Sequence, residues 1–270
     1  MLRLLALAAL TLGQAAPAAA QTRPISHCIA LAQSAPGLEY LHKAAVSDPV
    51  PQDAVRLRFI DHAMVLLQSA GGTSVITDFN GQVQGFTPDV VTMNRAHSSH
   101  YTDTPPESAL VLRGWSDQFG IAAKHHRQVG DILIRNVPTA IRSYGTVEEN
   151  GNSIFVFETA GLCIGHLGHL HHTPTEAQFA ALGRLDVVMA AVDGSMTINQ
   201  GEMVDILRRL RSSVVIPVHW FNEATLQRFM AGMADNFAVI RPGSSEITLT
   251  LRGLPKQPTV VVLEPGGIAD

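Results

Sequence analysis

Short apolar runs separated by polar, glycine-containing segments dominate this 270-residue chain. Runs of four to eight apolar or β-branched residues bounded by turn residues predict strands, whereas apolar positions that repeat every three to four residues predict helices. From Val55 onward the first pattern prevails, and we expect two strands around a Gly71-Gly72 turn. Further strands are predicted at 88–94, 110–115, 130–137 and 153–165, with a hairpin turn at 148–152.

The second half of the chain alternates helices and strands. A capping box with proline, Thr173-Pro174-Thr175-Glu176, predicts a helix that runs to Gly183. Helical periodicity predicts two more helices, and short apolar runs predict the strands between and after them. These helices are at 199–211 and 223–233, and these strands at 185–192, 212–218, 246–251 and 258–264. The order favours an α/β fold of two mixed sheets faced by outer helices, a four-layer αβ/βα sandwich.

The first twenty residues have the composition of a leader rather than of a folded element. Arg3 precedes an apolar stretch from Leu4 to Leu12, and small residues end at Ala20. We expect a cleaved secretory signal at 1–20, an N-terminal extension at 21–52 and one domain at 53–270, with a periplasmic or secreted location. The alternative is an uncleaved anchor helix. Export permits Cys28 and Cys163 to pair, but a disulfide and two buried thiols are equally compatible with the sequence.

The net charge of the chain limits the classes of binding partner that we expect. The chain carries a net charge of -4, which becomes about -5 without Arg3, and it contains no basic run. This excludes nucleic acid and anionic membrane surfaces as expected partners and favours a small-molecule substrate. No membrane span is expected after signal cleavage, and the oligomeric state stays open.

Histidines that follow strand-like runs carry the chemistry. Four of the twelve, His97, His100, His169 and His219, each come after such a run. Because strand ends open onto the crevice where ligands bind, and neutral imidazole is a common metal ligand, we expect these four to converge on zinc or another divalent transition metal. His166 is the reserve ligand. The interpretation for His27, His42, His125 and His126 is ordinary hydrogen bonding, and for His171 and His172 a surface or supporting role.

Four blocks, taken together and in order, resemble the metallo-β-lactamase superfamily over about 55–265. IDHAMVLLQSAGGTSVITDFNG is similar to an opening block with a histidine, matched by His62, and a later I-L-I-D-P. VVTMNRAHSSH falls at the family's S-H-x-H-x-D-H, GHLGHLHH is similar to H-L-G-D-L-G-H, and the block from Asp186 to Trp220 ends like I-P-M-H-Y. The branch it resembles contains the ascorbate-phosphate lactonase and the N-acyl-phosphatidylethanolamine phospholipase D.

Departures from the family pattern predict one metal where the family binds two. Arg95 stands at the first histidine of H-x-H, Ser99 at its aspartate, and His169 at the bridging aspartate. Ile141 or Arg142 stands at the third histidine of the first metal. The resemblance then implies one metal per chain held by His100, His169 and His219, with His97 as a fourth ligand or close neighbour.

Such a centre predicts hydrolysis. A metal on three histidines with an open position activates water for attack on an ester, lactone, amide or phosphoester. We expect Arg95 to steady the oxyanion and Asp193 to orient a ligand histidine, although Asp193 is equally compatible with a turn role. The second hypothesis is a metal- or ligand-binding protein on the same fold, because a closed four-histidine site leaves no position for water.

Overall fold

The computed structural model describes residues 26–30, 46–95, 97–143 and 145–268. The expected signal at 1–20 and His42 lie outside these residues. Within them, no helix has both the length and the apolar character needed to cross a bilayer.

Fourteen strands and four helices make up the described part of the chain. In chain order they are α1 His27–Ala30, β1 Ala54–Asp61, β2 Met64–Ser69, β3 Ser74–Ile76, β4 Val90–Met93, β5 Leu110–Arg113, β6 His126–Val129, β7 Ile132–Ser143, β8 Thr146–Thr159, β9 Leu162–His166, α2 Glu176–Leu182, β10 Val187–Ala191, α3 Gln200–Leu210, β11 Val214–Val218, α4 Glu223–Met233, β12 Ala238–Ile240, β13 Glu246–Thr250 and β14 Thr259–Val261.

The strands form two mixed sheets, which confirms the predicted fold class. The first sheet has the order β13-β1-β2-β3-β4-β5, and the second β12-β14-β11-β10-β9-β8-β7-β6. Pairing is parallel in β3-β4-β5 and in the run β9-β10-β11-β14-β12, and antiparallel elsewhere. The carboxyl ends of the parallel strands are therefore available to build a common site.

Alternating side chains separate two apolar layers. On β10 the odd-numbered Val187 and Met189 face the first sheet, and on β11 the even-numbered Ile216 does so. Their neighbours Val188 and Val215 pack under the helices. The helices α2, α3 and α4 cover the outer face of the second sheet. Among the described residues, the outer face of the first sheet is covered by loop side chains, which include Val83, Phe86, Tyr101 and Trp115.

Helix bounds follow the sequence closely because their caps are local. Asn199 and Asn222 cap α3 and α4, each accepting a hydrogen bond from a backbone N–H three residues on. The cap of α2 is Thr175 rather than Thr173, and Gln178 completes its capping box. The predicted start is corrected by two residues.

One predicted turn is wrong, and two turns that the sequence analysis did not predict divide long strands. The first long strand is split at His62, whose φ of +52° makes a turn between β1 and β2. Residues 148–152 lie within β8 opposite β7, and the last pair of residues in this hairpin is Ser143 and Thr146. Ala160 and Gly161, both with positive φ, end β8 and begin a new hairpin into β9.

The segment 26–30 is fixed to the second sheet by a disulfide and a carboxylate. Cys28 and Cys163 are bonded across 135 residues, which decides between the two possibilities that the sequence left open. Glu158 accepts hydrogen bonds from the hydroxyl of Ser26 (2.6 Å) and from Nε of Arg135 (2.8 Å). These contacts attach α1 to the edge of α2 and β9.

Candidate metal centre

Five parallel strands deliver polar side chains to one edge of the sandwich. Asp78 follows β3, His97 and His100 follow β4, and His169 follows β9. Asp193 and His219 follow β10 and β11. In the loop after β4, the amide of His100 donates to the carbonyl of His97 (2.9 Å), so the loop curls and brings both rings to one side.

The four histidines expected to bind metal come together. One ring nitrogen from each of His97, His100, His169 and His219 lies within 4.8 Å of the other three. Nε2 of His97 is 3.2 Å from Nε2 of His169, and Nε2 of His100 is 3.2 Å from Nε2 of His219. Three of the rings are buried, and that of His97 is half-buried. The structure thus brings one ring nitrogen from each of these four histidines to a common point.

Carboxylates hold two of these rings from behind. Nδ1 of His100 is 2.8 Å from Oδ2 of Asp78, whose other oxygen accepts from the amide of Asn94 (2.9 Å). Nδ1 of His219 is 3.1 Å from Oδ1 of Asp193. A carboxylate behind an imidazole keeps the proton on Nδ1 and turns the lone pair of Nε2 towards the centre of the site.

The other two rings have uncharged partners. Nδ1 of His97 is 2.6 Å from the hydroxyl of Ser99, which is also 2.9 Å from Nε2 of His62. Nδ1 of His169 is 2.7 Å from Nε2 of His171. The backbone amide of Arg142 donates to Nδ1 of His171 (2.6 Å). Ser99 and His171 therefore set the orientation of these two rings.

Burial keeps the imidazoles of His97 and His169 in their neutral form, which is the form that binds metal. Burial first, and then the neighbouring His100 and His219, lower the pKa of His97 to about 4. The same two causes hold the pKa of His169 far below its usual range. Lone pairs are accordingly available at neutral pH without the loss of a proton.

The carboxylate of Asp193 contacts both the loop that follows it and the ring of His219. It accepts hydrogen bonds from the amide of Met196 (2.6 Å) and the hydroxyl of Thr197 (2.5 Å). Burial alone raises its pKa, but the hydrogen bonds from His219, Thr197 and the amides of Ser195 and Met196 outweigh burial and hold the pKa well below the usual range. The two sequence interpretations of this residue, turn former and partner of a histidine, both describe its contacts.

Arg95 makes an ion pair with Glu148 on β8. Glu148 is buried, and the guanidinium is about one-third exposed. An arginine held by a carboxylate offers less of its charge to a developing oxyanion than a free one does. The catalytic role of Arg95 stays a prediction, and its observed contact is with Glu148.

His166 is not among the converging ligands. Its Nε2 is 3.0 Å from the carbonyl of Ala63, and its Nδ1 accepts from the amide of Gly168 (3.2 Å). With both nitrogens engaged by backbone, the ring braces the loop that carries His169. His125 keeps its ordinary interpretation, since its Nε2 lies 2.6 Å from the carbonyl of Arg113.

Sequence reasoning missed two carboxylates. Asp78 lies in the block VITDFNG that carried the family resemblance, where the family has the aspartate of I-L-I-D-P, so a signal for it was present. Glu148 was placed in a turn, and no local signal connects it to Arg95, 53 residues earlier. His62, by contrast, lies close to the site as its match to the family's opening histidine implied, with its ring centroid 4.0 Å from that of His219.

Two mixed sheets packed as a sandwich, with a histidine cluster at the strand ends, define the structural class of this protein. Comparison with known proteins gives the same class. Residues 56–219 match the model of the beta-lactamase superfamily domain, and the chain belongs to that superfamily. Its structural relatives are metal-dependent hydrolases of the metallo-β-lactamase fold. Assignment to the branch named above stays a prediction, and among curated proteins none matches this chain.

Several solved structures are similar over most of the chain. A protein from Thermotoga maritima, assigned as a zinc-dependent hydrolase of the metallo-β-lactamase superfamily, shares 25% identity with a TM-score of 0.56, covering 78% of this chain and 98% of its own. Igni18, a metallo hydrolase from Ignicoccus hospitalis, shares 14% identity with a TM-score of 0.53, covering 79% and 96%. A protein from Parabacteroides distasonis, assigned as a metal-dependent hydrolase, shares 11% identity with a TM-score of 0.54, covering 78% and 93%.

Proposed function

We propose that this protein is an exported hydrolase that uses one divalent transition metal per chain, zinc or an ion of similar ligand preference. The metal is held by His100, His169 and His219, and water is activated for attack on an ester, lactone or phosphoester. The observation that carries the proposal is the convergence of four imidazole nitrogens within 4.8 Å, beside a pocket. Bound there, the metal lowers the pKa of a water molecule to about 7.

The donor set fits such an ion. His97 and His100 each have a hydrogen-bond partner at Nδ1, and Nδ1 of His219 lies 3.1 Å from a carboxylate oxygen of Asp193, so Nε2 of each ring is on the inner side. For His169 the fit requires one adjustment. Because the Arg142 amide donates to Nδ1 of His171, the proton of His171 is on Nε2 and faces Nδ1 of His169. Coordination through Nε2 of His169 requires a proton on Nδ1 of His169 instead. Nε2 of His171 must then accept that proton's hydrogen bond, the proton of His171 moves to its Nδ1, and the hydrogen bond from Arg142 is released.

Charge balance supports one metal rather than two. Two buried carboxylates, Asp78 and Asp193, stand behind the neutral imidazoles and together supply two negative charges. One dication is balanced by them, whereas a second about 4 Å away would be repelled without a bridging anion. Ser99 and His169 stand where the family pattern has aspartates.

Export is supported by the leader composition and by the disulfide between Cys28 and Cys163. Structural disulfides persist in oxidising compartments such as the periplasm and are rare in reducing ones. N-terminal sequencing of the protein recovered from a native host tests this, with cleavage close to residue 20 as the expected result. A chain that keeps residues 1–20 and stays in the cytoplasm would contradict it.

The central experiment measures metal and turnover on the same samples. We expect about one metal per mature chain and chelator-sensitive hydrolysis that returns when the metal is restored. His169→Ala should lose the metal and the activity, whereas His125→Ala should keep both, because His125 contacts the Arg113 carbonyl and not the site. Full metal content in the His169 variant would contradict the ligand set, and a metal-free wild type would contradict the whole proposal.

The second candidate, a binding protein with a closed metal site, is favoured by the presence of all four histidines within ligand reach. His97→Ala separates the two. If His100, His169 and His219 form the site, this variant keeps its metal with reduced affinity and hydrolyses at least as fast as wild type. Loss of metal in the variant, with no turnover by the wild type, identifies the closed site.

A further inference from the structure

A pocket of about 550 Å³ lies directly beside the metal centre. On the side towards the site it is bounded by His62 and Ser99, and the Ser99 hydroxyl is 2.6 Å from His97. Another wall is Phe221, whose ring centroid is 5.1 Å from that of His219. The pocket therefore adjoins two of the four histidines, His97 through Ser99 and His219 through Phe221.

One wall of this pocket is aromatic. It consists of Phe59, Trp220 and Phe221, with the rings of Phe59 and Trp220 6.5 Å apart. Phe221 is 55% exposed in spite of its large apolar side chain. An apolar surface of this kind at the mouth of a pocket gains free energy when a hydrocarbon group covers it.

The charge of the pocket disfavours anions. Of the lining residues, Asp61 has an exposed carboxylate, and Asn80, Gln82, Ser98 and Ser99 contribute neutral polar side chains. Among the lining residues that the structure describes there is no lysine or arginine. The nearby arginines have other partners, since Arg95 pairs with Glu148 and Arg142 donates to the carbonyls of Met196 and Thr197.

Phosphoester sites meet the charge of their substrate with Arg, Lys, a helix N-terminus or a metal ion. Here the carboxylates of Asp78 and Asp193 already balance the charge of one dication. We infer that this pocket selects an uncharged carboxylic ester or lactone with an apolar acyl chain, and discriminates against phosphoesters. This inference rests on the hydrolase function proposed above. The reaction consumes one water, breaks the acyl C–O bond and releases a carboxylic acid and an alcohol.

Binding of non-hydrolysable probes tests the pocket without relying on turnover. N-hexylacetamide and hexyl phosphate have the same alkyl length and differ in charge. The Kd of each probe is measured by calorimetry on the metal-stripped and the metal-loaded chain. In the stripped chain, the Kd of N-hexylacetamide should be lower than that of hexyl phosphate by on the order of tenfold. Equal affinity, or tighter binding of the phosphate by the stripped chain, overturns the inference.

Chain length and charge reversal supply the second test. With 4-nitrophenyl acetate, butyrate and hexanoate, kcat/KM should rise by up to about fourfold per methylene, and Phe221→Ala should flatten this series. Asp61→Lys should raise kcat/KM for bis(4-nitrophenyl) phosphate relative to the butyrate ester by on the order of tenfold. Asp117→Lys, at an exposed position outside the pocket, is the matched control and should leave the ratio unchanged.

The failure of this inference differs from the failure of the proposed function. A chain that hydrolyses phosphodiesters with chelator sensitivity, and binds hexyl phosphate better than the amide, keeps the function and overturns the substrate class. A chain that binds the amide selectively but hydrolyses nothing loses the function and keeps the selectivity of the pocket. An unchanged ester-to-phosphodiester ratio in the Asp61 variant counts against the inference.

Discussion

Removal of the Cys28–Cys163 disulfide should destabilise the protein strongly without affecting its metal site. The bond closes a loop of 135 residues, and the chain-entropy relation assigns about 5 kcal/mol at 25 °C to a loop of this length. For a domain of this size, 1 kcal/mol corresponds to about 2–4 °C in Tm, so we expect the midpoint to fall by about 10–20 °C. The proposed metal ligands His100, His169 and His219 lie in a different group of contacts from this bond.

Alanine is the better replacement for both cysteines. Cys28 is 1% exposed and Cys163 is fully buried, and a serine hydroxyl at either position would need a hydrogen-bond partner in an apolar cluster. The double variant Cys28→Ala/Cys163→Ala therefore reports the lost cross-link with little added polar cost. Ile29→Ala, an exposed position on the same short helix, is the matched control and should shift Tm by no more than about 2 °C.

The assay is thermal unfolding of the metal-stripped protein, followed by circular dichroism with and without a dithiol reductant. Wild type should lose stability in reductant, and the double variant should be insensitive to it. Metal binding measured on the same variant at 25 °C should equal that of wild type. A reductant-insensitive wild type, or a double variant within about 2 °C of wild type, would refute the reasoning, because it would mean that the pairing adds nothing to the contacts of 26–30.

Three further predictions concern groups outside the set of metal ligands. Asp78→Asn removes the charge behind His100 and should weaken metal binding by about 10- to 100-fold in competition with a chromogenic chelator. The pKa of Glu158 is lowered in the folded state, since the hydrogen bonds that it accepts outweigh burial. Its stabilisation is therefore complete above its unfolded pKa of 4.5 and is lost as the pH falls through the folded value, and Glu158→Gln should be less stable at pH 7 and show a flatter dependence of Tm on pH between 5 and 3. Gly168→Ala places a Cβ 2.5 Å from the Asn94 amide at a φ of +61°, so it should cost about 1–3 kcal/mol in unfolding free energy and reduce metal affinity with every ligand intact.

The parts of the fold that the sequence predicts well are those determined by residues close together in the chain. The helices α3 and α4 begin at capping asparagines whose contacts span three residues, and their predicted bounds agree with the structure to within one residue. The histidines at the strand ends were identifiable because apolar runs mark the strands, and the carboxyl ends of parallel strands share an edge. Four rings could therefore be assigned to one place without knowledge of the contacts between them.

Contacts between distant segments account for what the sequence did not show. Asp78 and His100 are 22 residues apart, and Arg95 and Glu148 are 53 apart, and each pair meets only after the sheets have formed. The turn at His62 was hidden because a non-glycine residue with positive φ is rare and has no composition signal. This turn brings His62 within 2.9 Å of Ser99, a contact that the predicted uninterrupted strand would not allow.

The difference between His97 and the other three histidines connects the fold to the choice between enzyme and binding protein. His100 and His219 are buried against carboxylates, and His169 is buried against His171, whereas His97 is half-buried against the hydroxyl of Ser99. A hydroxyl partner contributes less than a carboxylate to holding a ring, because it carries no charge. Of the four proposed ligands, His97 can therefore leave a coordination position at the lowest cost, and the position it would leave adjoins the pocket through Ser99. An open position for water and an entrance for substrate would then coincide, which is the arrangement that hydrolysis requires and that a storage or structural site does not need.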